Sequence, residues 1–596
     1  MYDIAGWFGS NSSKLSPVEV LNAMLGERPE HNIHQEFALA SAQAGRTGSA
    51  GPISALITGH PRWQTSDLAT KAARDGDASL LARLYEEKGL ATLEQIGGSF
   101  ALALYDREHG EGLLAIDRMG VAPLAYAQVP GGLLFADDLG TLRRHPTIDA
   151  ESDPQALFAY LYFHMIPAPL SIYRDIHKLL PGQYLRCRDG KLESGFYWQP
   201  CFQNDSRAEP ELALALRNAL KRSVDLSLEH PATTGAFLSG GLDSSTVTGL
   251  FKELAPDSAE AFSIGFAAEG YDEMEYARAS ARHFGVPLHE YYVTPQDVVA
   301  AVPKIAAFYD EPFGNASAVP TYYCARLARD HGKTHLLAGD GGDELFAGNA
   351  RYAKQALFAW YERLPHWLRN RMIEPFVALN PPFMGKVKSY VDQAKVPMPE
   401  RMETYNFLHR TPLAEVFESE FLASVNSGWP LEHLQEIYRR PDATMLKCML
   451  WLDWKITLAD NDLRKVNRMC HLSGMDVNYP MLQDPLIRAA PRIPDRLLMR
   501  GFELRSFYRR TWQDFLPPET LNKRKHGFGL PFGVWLQSDS KLQELAYTSL
   551  EHRSLSGIIR KNYLHNLKQA HQSRHASYYG VIIWILMMWA QWFEHH

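Results

Sequence analysis

The sequence predicts a two-part α/β protein. A strand-rich N-terminal portion is followed by a doubly wound parallel sheet, which leads into a long helical region. Three observations predict this. Short apolar segments bounded by turn residues fill much of the first 200 residues, as expected of buried strands. A polar stretch with two prolines and no period follows Trp198 and marks a linker at 201–210. Beyond it, apolar strands alternate with helical stretches, the pattern of a sheet covered on both faces.

Taken in order, portion 1–200 carries apolar strands at Ser99 to Tyr105 and Gly112 to Ile116, and helical spacing from Leu80 to Lys88. Portion 211–596 begins with an amphipathic helix over Leu212 to Leu228. Strands follow at Gly235 to Leu238, Ala261 to Phe266 and His335 to Ala338. After about Ala350 the chain reads as helical and rich in Trp, Tyr and Leu. The longest apolar run, Val581 to Ala590, is about half the length of a membrane span. It reads as a buried terminal helix, so no membrane span is expected.

Composition narrows the class. The chain has 596 residues, enough for several domains, with 46% hydrophobic and 22% charged residues. A formal net charge of −7 gives no general reason to expect nucleic acid or an anionic membrane as partner. The five cysteines are scattered and form no C-x-x-C pair, which argues against a disulfide framework or a zinc site. The N-terminus lacks the basic and apolar regions of a signal peptide. The expected location is the cytoplasm.

Two loops carry the chemistry. Ser239-Gly240-Gly241-Leu242-Asp243-Ser244-Ser245 follows the strand ending at Leu238 and opens a helix. Its glycines allow close approach to a phosphate, which N–H groups and hydroxyls can then hold. Asp243 suits a bound Mg²⁺ better than a bare phosphate, because like charges repel. It is not a Walker A loop. Gly332-Lys333-Thr334 lacks the required first glycine, since Leu327 stands there. The second loop, Gly339-Asp340-Gly341-Gly342-Asp343-Glu344, follows the strand His335 to Ala338. Open α/β sheets bind ligands at such carboxyl ends. Asp343 is the natural second Mg²⁺ ligand, and Asp340 is a candidate catalytic carboxylate.

These two motifs together resemble the synthetase domain of the asparagine synthetase family. Tyr271-Asp-Glu273, Asp310-Glu311-Pro312, Arg351-Tyr352, Pro181-Gly182 with Tyr197-Trp198, and Lys525-His-Gly-Phe528 fall in the family's order. Gly98 to Asp106, Asp117-Arg-Met-Gly120 and Phe135-Ala136 resemble its glutaminase domain. The resemblance implies an Ntn-hydrolase-like αββα domain followed by a PP-loop ATP pyrophosphatase domain. It implies ATP and Mg²⁺ as cofactors. In that chemistry a carboxylate attacks the α-phosphate of ATP, and an amine then displaces AMP from the acyl-adenylate. By the same resemblance, Leu238 to Ser245, Gly339 and Gly341 would hold pyrophosphate. Ser263 and Ile264 would line the adenine pocket, and Lys525 would place a cation beside the α-phosphate.

The departures are concentrated. The family's glutaminases need a cysteine after the initiator methionine, and Tyr2 stands there, followed by Asp3. The segment that should hold glutamine reads Thr58-Gly-His-Pro-Arg-Trp63, and the expected aspartate before the Gly98 strand is Gly97. No clear arginine-bearing strand follows Glu27-Arg-Pro-Glu30. On the substrate side, Asn467 replaces Asp, Asp476 replaces Glu, Asn478 replaces Arg, Gln483 replaces Asp, and Arg505 replaces a lysine. Asp310, Glu311, Asp476 and Asn478 are the candidate substrate-pocket residues. Intact ATP motifs beside an eroded glutaminase resemble the lasso-peptide macrocyclase branch. That implies a precursor peptide as substrate, with a leader peptidase and a leader-recognition protein as partners. β-Lactam-synthetase-like closure, ammonia-dependent asparagine synthesis and a non-catalytic scaffold are the alternatives.

Overall fold

The structure is a computed structural model. It describes residues 4–9, 15–26, 29–375, 385–523 and 529–596, with the backbone alone at 366, 370 and 385–387. Among the described residues, the N-terminal portion holds twelve strands in two six-stranded sheets. One contains β1 (Ile4–Gly9), β2 (Glu30–His34), β3 (Phe37–Ser41), β8 (Ala125–Val129), β9 (Gly132–Ala136) and β10 (Ile176–Lys178). The other contains β4 (Thr47–Ala50), β5 (Ile53–Trp63), β6 (Ile96–Asp106), β7 (Glu111–Ile116), β11 (Gln183–Arg188) and β12 (Lys191–Phe196). All pairings are antiparallel.

The side-chain alternation of strands sorts their residues into layers. Ile4 and Phe8 of β1 pack with Ala101, Ala103 and Tyr105 of β6, between the sheets. Phe100, Leu102 and Leu104 point the other way, against the helix Asp77–Lys88. Ala5 and Trp7 face outward into a core that also holds Val20 and Leu21 of the helix Pro17–Leu25. The result is the αββα stack that the sequence predicts. The predicted strands lie inside β6 and β7, and the predicted helix inside Asp77–Lys88.

The linker differs from expectation. Phe202 is buried in the main core, and the Asp205 N–H donates to the Arg492 carbonyl at 2.8 Å. The following helix begins at Glu209, so Glu209 and Pro210 belong to it. Proline is tolerated in a first helical turn because its missing N–H has no partner there anyway.

The second portion is built on five parallel strands: β13 (Thr234–Phe237), β14 (Ala261–Phe266), β15 (Leu288–Val293), β16 (His335–Leu337) and β17 (Asp476–Asn478). Their order is β15-β14-β13-β16-β17. The chain moves outward on one side of β13, then returns to its other side. This reversal opens a crevice at the carboxyl ends of β13 and β16, where both glycine-rich loops emerge.

The terminal helix runs Ala576–His595, longer than the apolar run that suggested it. By length and composition it would satisfy a membrane span. Within the fold, however, Ile582 to Ala590 are buried. It packs on the helices Pro295–Phe308 and Phe532–Trp535, closely enough that a Cβ on Gly580 would lie 2.5 Å from the Gly533 Cα.

The two portions share one continuous apolar core and are pinned by a buried charge cluster. Glu311 accepts from Lys178 Nζ at 2.6 Å and pairs with Arg464 at 2.7 Å. Its other oxygen accepts the Ile172 N–H at 3.2 Å. Asp310 pairs with Arg464 and Arg468 and accepts the Leu139 N–H at 3.1 Å. Arg468 also reaches Asp138 at 2.6 Å. Removing one member leaves buried charges unpaired, at a cost of about 3–5 kcal/mol. Glu311→Ala should therefore lower unfolding stability by about that amount, measured by urea titration of the full chain. A loss under about 1 kcal/mol would show that the cluster is no pin.

Candidate functional site

The crevice is a cleft of about 830 Å³, within the range typical of ligand pockets. The first loop forms one wall. The Ser239 N–H donates to Ser244 Oγ at 3.2 Å, and the two serine hydroxyls lie 3.1 Å apart. The helix Leu242–Leu254 starts at Gly241 with no side-chain cap, an arrangement suited to an anion. The second loop forms the opposite wall and enters the helix Gly342–Phe346.

Arg505 joins the walls. Its buried guanidinium pairs with both Asp243 oxygens and reaches Asp343 Oδ1 at 3.0 Å. It also lies 4.6 Å from the Tyr508 ring centre. Two glycines make room for these carboxylates. A Cβ on Gly342 would sit 2.0 Å from Asp243 Oδ1, and one on Gly348 would sit 1.8 Å from Asp343 Oδ1. Asp243 and Asp343 thus converge on one guanidinium nitrogen, at 2.5 and 3.0 Å. A divalent cation fits a donor set of this kind, and these two carboxylates would hold it.

The cleft floor is acidic and partly compensated. Burial raises the Asp340 carboxyl to about 6; Lys465 opposes this, and Asp462 and Asp243 add to it. Burial, with Asp343 and Asp462 nearby, pushes Glu344 well above the carboxylate range. Burial works against the Lys465 ammonium, yet Asp462 at 2.8 Å and Asp340 hold its pKa above the ordinary lysine value. At the rim, Lys523 donates to the Ser239 carbonyl and pairs with Glu273, both at 3.0 Å. Its burial lowers its pKa against the pull of Glu273.

Leu238, Ser239, Gly241, Asp243, Ser244, Ser263, Ile264, Gly339, Asp340, Gly341 and Asp343 all line the cleft. Two loop residues do not. Gly240 has φ +69°, and a Cβ there would meet the Tyr276 backbone at 2.3 Å, so its role is packing against a neighbouring helix. The Ser245 hydroxyl is buried against Ser280 Oγ at 2.9 Å. Lys525 and Tyr2 lie outside the described residues.

None of the four substrate-pocket residues lines the cleft. Asp310 and Glu311 belong to the charge cluster between the portions, where their charges are already matched. Asp476 sits at the amino end of β17, 3.8 Å from His335, on the edge opposite the crevice. Asn478 is buried and donates to the Ser227 carbonyl at 3.3 Å. Its replacement of an arginine therefore says nothing direct about the substrate.

Sequence reasoning missed Arg505 as a site residue, along with Lys465, Asp462, Glu344, Glu273 and Lys523, which also line the cleft. The lysine-to-arginine change at Arg505 was a usable signal. Lys465 lies in no motif of the sequence analysis.

The segments that the resemblance assigns to glutamine binding face the other portion. A Cβ on Gly97 would lie 1.7 Å from Asp484 Oδ2, so the absent side chain has made way for this carboxylate. Asp484 accepts the Gly98 N–H at 3.2 Å and pairs with buried Arg118 at 3.0 Å. Arg62 donates to the Leu226 carbonyl at 2.8 Å and pairs with Glu229.

Comparison with known proteins gives the family. The model described as asparagine synthase matches residues 215–594, and that described as a glutamine amidotransferase domain matches 62–198. Asparagine synthetase [glutamine-hydrolyzing] 1 of Bacillus subtilis (strain 168) is 25% identical over 525 residues, covering 87% of this chain and 80% of that protein. A putative asparagine synthetase [glutamine-hydrolyzing] of Mycobacterium tuberculosis (strain ATCC 25618 / H37Rv) is 28% identical over 550 residues, with the same coverages. Asparagine synthetase B [glutamine-hydrolyzing] of Escherichia coli (strain K12) is 28% identical over 295 residues, covering 47% of this chain and 45% of that protein.

The glycine contacts generate a test. Gly342→Ala should displace the Asp243 side chain while leaving the fold in place, since a carboxylate end can swing away. Calorimetric titration with ATP and Mg²⁺ should show affinity weakened by about tenfold or more, equivalent to at least about 1.4 kcal/mol. The melting temperature should move by only a few degrees. Unchanged affinity would mean that Asp243 does not act at the phosphates.

Proposed function

The chain belongs to the asparagine synthase family, and from that premise we propose that it joins an activated carboxylate to an amine carried by the substrate itself. The family's chemistry is ATP-dependent formation of an amide bond. The finer reading is lasso-peptide macrocyclisation, in which the N-terminal amine of a precursor peptide closes on an Asp or Glu side chain.

One observation carries this reading. The nucleotide cleft is open and furnished, while the glutamine-binding segments of the N-terminal domain are committed to contacts between domains. Gly97 yields to Asp484, and Arg62 is tied to Glu229 and Leu226. These contacts are why the reading draws the amine from the substrate and not from glutamine. The cleft also has an apolar rim in Phe502, which is 56% exposed, and Leu504. That edge suits a peptide better than a small free amino acid.

The residues divide the work. Ser239, Gly241, Ser244 and the helix start would receive the pyrophosphate. Ser263 and Ile264 would line the adenine end. A Mg²⁺ held by Asp243 and Asp343 would neutralise charge on the leaving group. Asp340, with a pKa near 6, would be ionised at neutral pH and able to take a proton from the attacking amine. Holding that amine on the same molecule as the adenylate can remove roughly 7–11 kcal/mol of barrier. A leader peptidase and a leader-recognition protein would be partners in the same pathway.

The named relatives support a second reading, synthesis of asparagine from aspartate and free ammonia. Incubation of the protein with ATP, Mg²⁺ and a candidate precursor peptide distinguishes the two. The expected products are AMP, pyrophosphate and a peptide lighter by one water with a blocked N-terminus, read by mass spectrometry. Asparagine formed from aspartate and ammonia at a comparable rate would replace ring closure with the second reading. ADP and phosphate as products would contradict both.

A further inference from the structure

Arg505 is placed unlike an ordinary structural arginine. It is buried, and it bridges the two carboxylates best suited to a divalent cation. Its backbone is left-handed, with φ +56°, a conformation that costs energy for a residue with a Cβ. Its Nε is buried and has no hydrogen-bond partner among the described residues. A donor left unpaired in a protein interior is costly. The present arrangement therefore carries both strain and an unmet donor, where Arg505 joins the two loops.

We propose that Arg505 is a tethered counter-ion. It holds the cation position while the cleft lacks nucleotide, and yields it to a divalent cation that arrives with the phosphates. This inference rests on the nucleotide and metal reading of the cleft. Without nucleotide, a divalent cation must break a charge-assisted pair and remain beside the displaced guanidinium, which repels it. With nucleotide present, the guanidinium gains phosphate oxygens as new acceptors, including for its unmet Nε. The left-handed residue at the start of the helix Ser506–Thr511 supplies the hinge. Cation and nucleotide should therefore bind with strong mutual dependence. The substitution of arginine for lysine then has a physical meaning. A planar fork can grip both carboxylates at once, whereas an ammonium acts as a point charge.

The test uses Mn²⁺ as probe on the full-length protein without nucleotide, followed by calorimetry. Arg505→Gln should bind one Mn²⁺ about tenfold or more tighter than the unaltered protein, because a nearby positive charge is gone. Adding Asp243→Asn should abolish that gain. In the unaltered protein, ATP should raise Mn²⁺ affinity by about tenfold or more beyond the affinity of ATP itself for Mn²⁺. This arm stands even if Arg505→Gln fails to fold. Equal Mn²⁺ affinities with and without Arg505, in proteins that still bind Mn²⁺ with ATP, would overturn the inference. So would the absence of any effect of ATP. Failure of Mn²⁺ to bind any of these proteins, with or without ATP, would overturn the metal reading itself.

Discussion

Two like-charged carboxylates, Asp243 and Asp343, are held against each other across the crevice between β13 and β16, and the synthetase half is organised around that constraint. The strand order brings their loops together. Gly342 and Gly348 leave space for the side chains, and Arg505 supplies the charge that makes the approach tolerable. Burial above all, with Asp462 beside both and Asp343 beside Glu344, lifts Asp340 and Glu344 out of the ordinary carboxylate range. Arg505 and Lys465 thus compensate part of the negative charge gathered in the cleft.

The N-terminal domain contributes in a different way. Its two sheets enclose a layer of buried apolar side chains. One edge of the domain forms a joint with the other portion: Asp484 enters beside Gly97, and Glu229 ties Arg62. On the other side, Arg464 and Arg468 fasten the helix Arg464–Leu472 to Asp310, Glu311 and Asp138. Lys465 projects from the same helix into the cleft. Through Asp138 and Lys178 the N-terminal domain therefore braces the wall of the cleft.

Much of this was legible in the sequence, for identifiable reasons. Strand-ending glycine loops with acidic residues have a strong local signal, and Ser239, Gly241, Asp243, Ser244, Gly339, Asp340, Gly341 and Asp343 of these loops line the cleft. The buried strands β6, β7 and β14 were visible because apolar runs bounded by turns have few other uses. The failures were tertiary. Asp310 and Glu311 carry a motif that looks like a pocket, yet their partners are Arg464 and Arg468, far along the chain, and Lys178 of the N-terminal portion, which no local pattern reveals. Asn478 was misplaced because a three-residue strand gives no clue to which edge of the sheet it joins. Ser245 and Gly240 sit in the right loop but face inward, because a helix start turns successive residues to different sides. Arg505 lies far along the chain from both carboxylates it bridges.

The central claim is that the amine comes from the substrate and not from glutamine. The most direct measurement supplies the protein with ATP, Mg²⁺, its amide-forming substrate and glutamine labelled with ¹⁵N at the side-chain amide, then follows the label by mass spectrometry. The account predicts an unlabelled product and intact glutamine. Incorporation of ¹⁵N into the new amide bond, with release of glutamate, would contradict it.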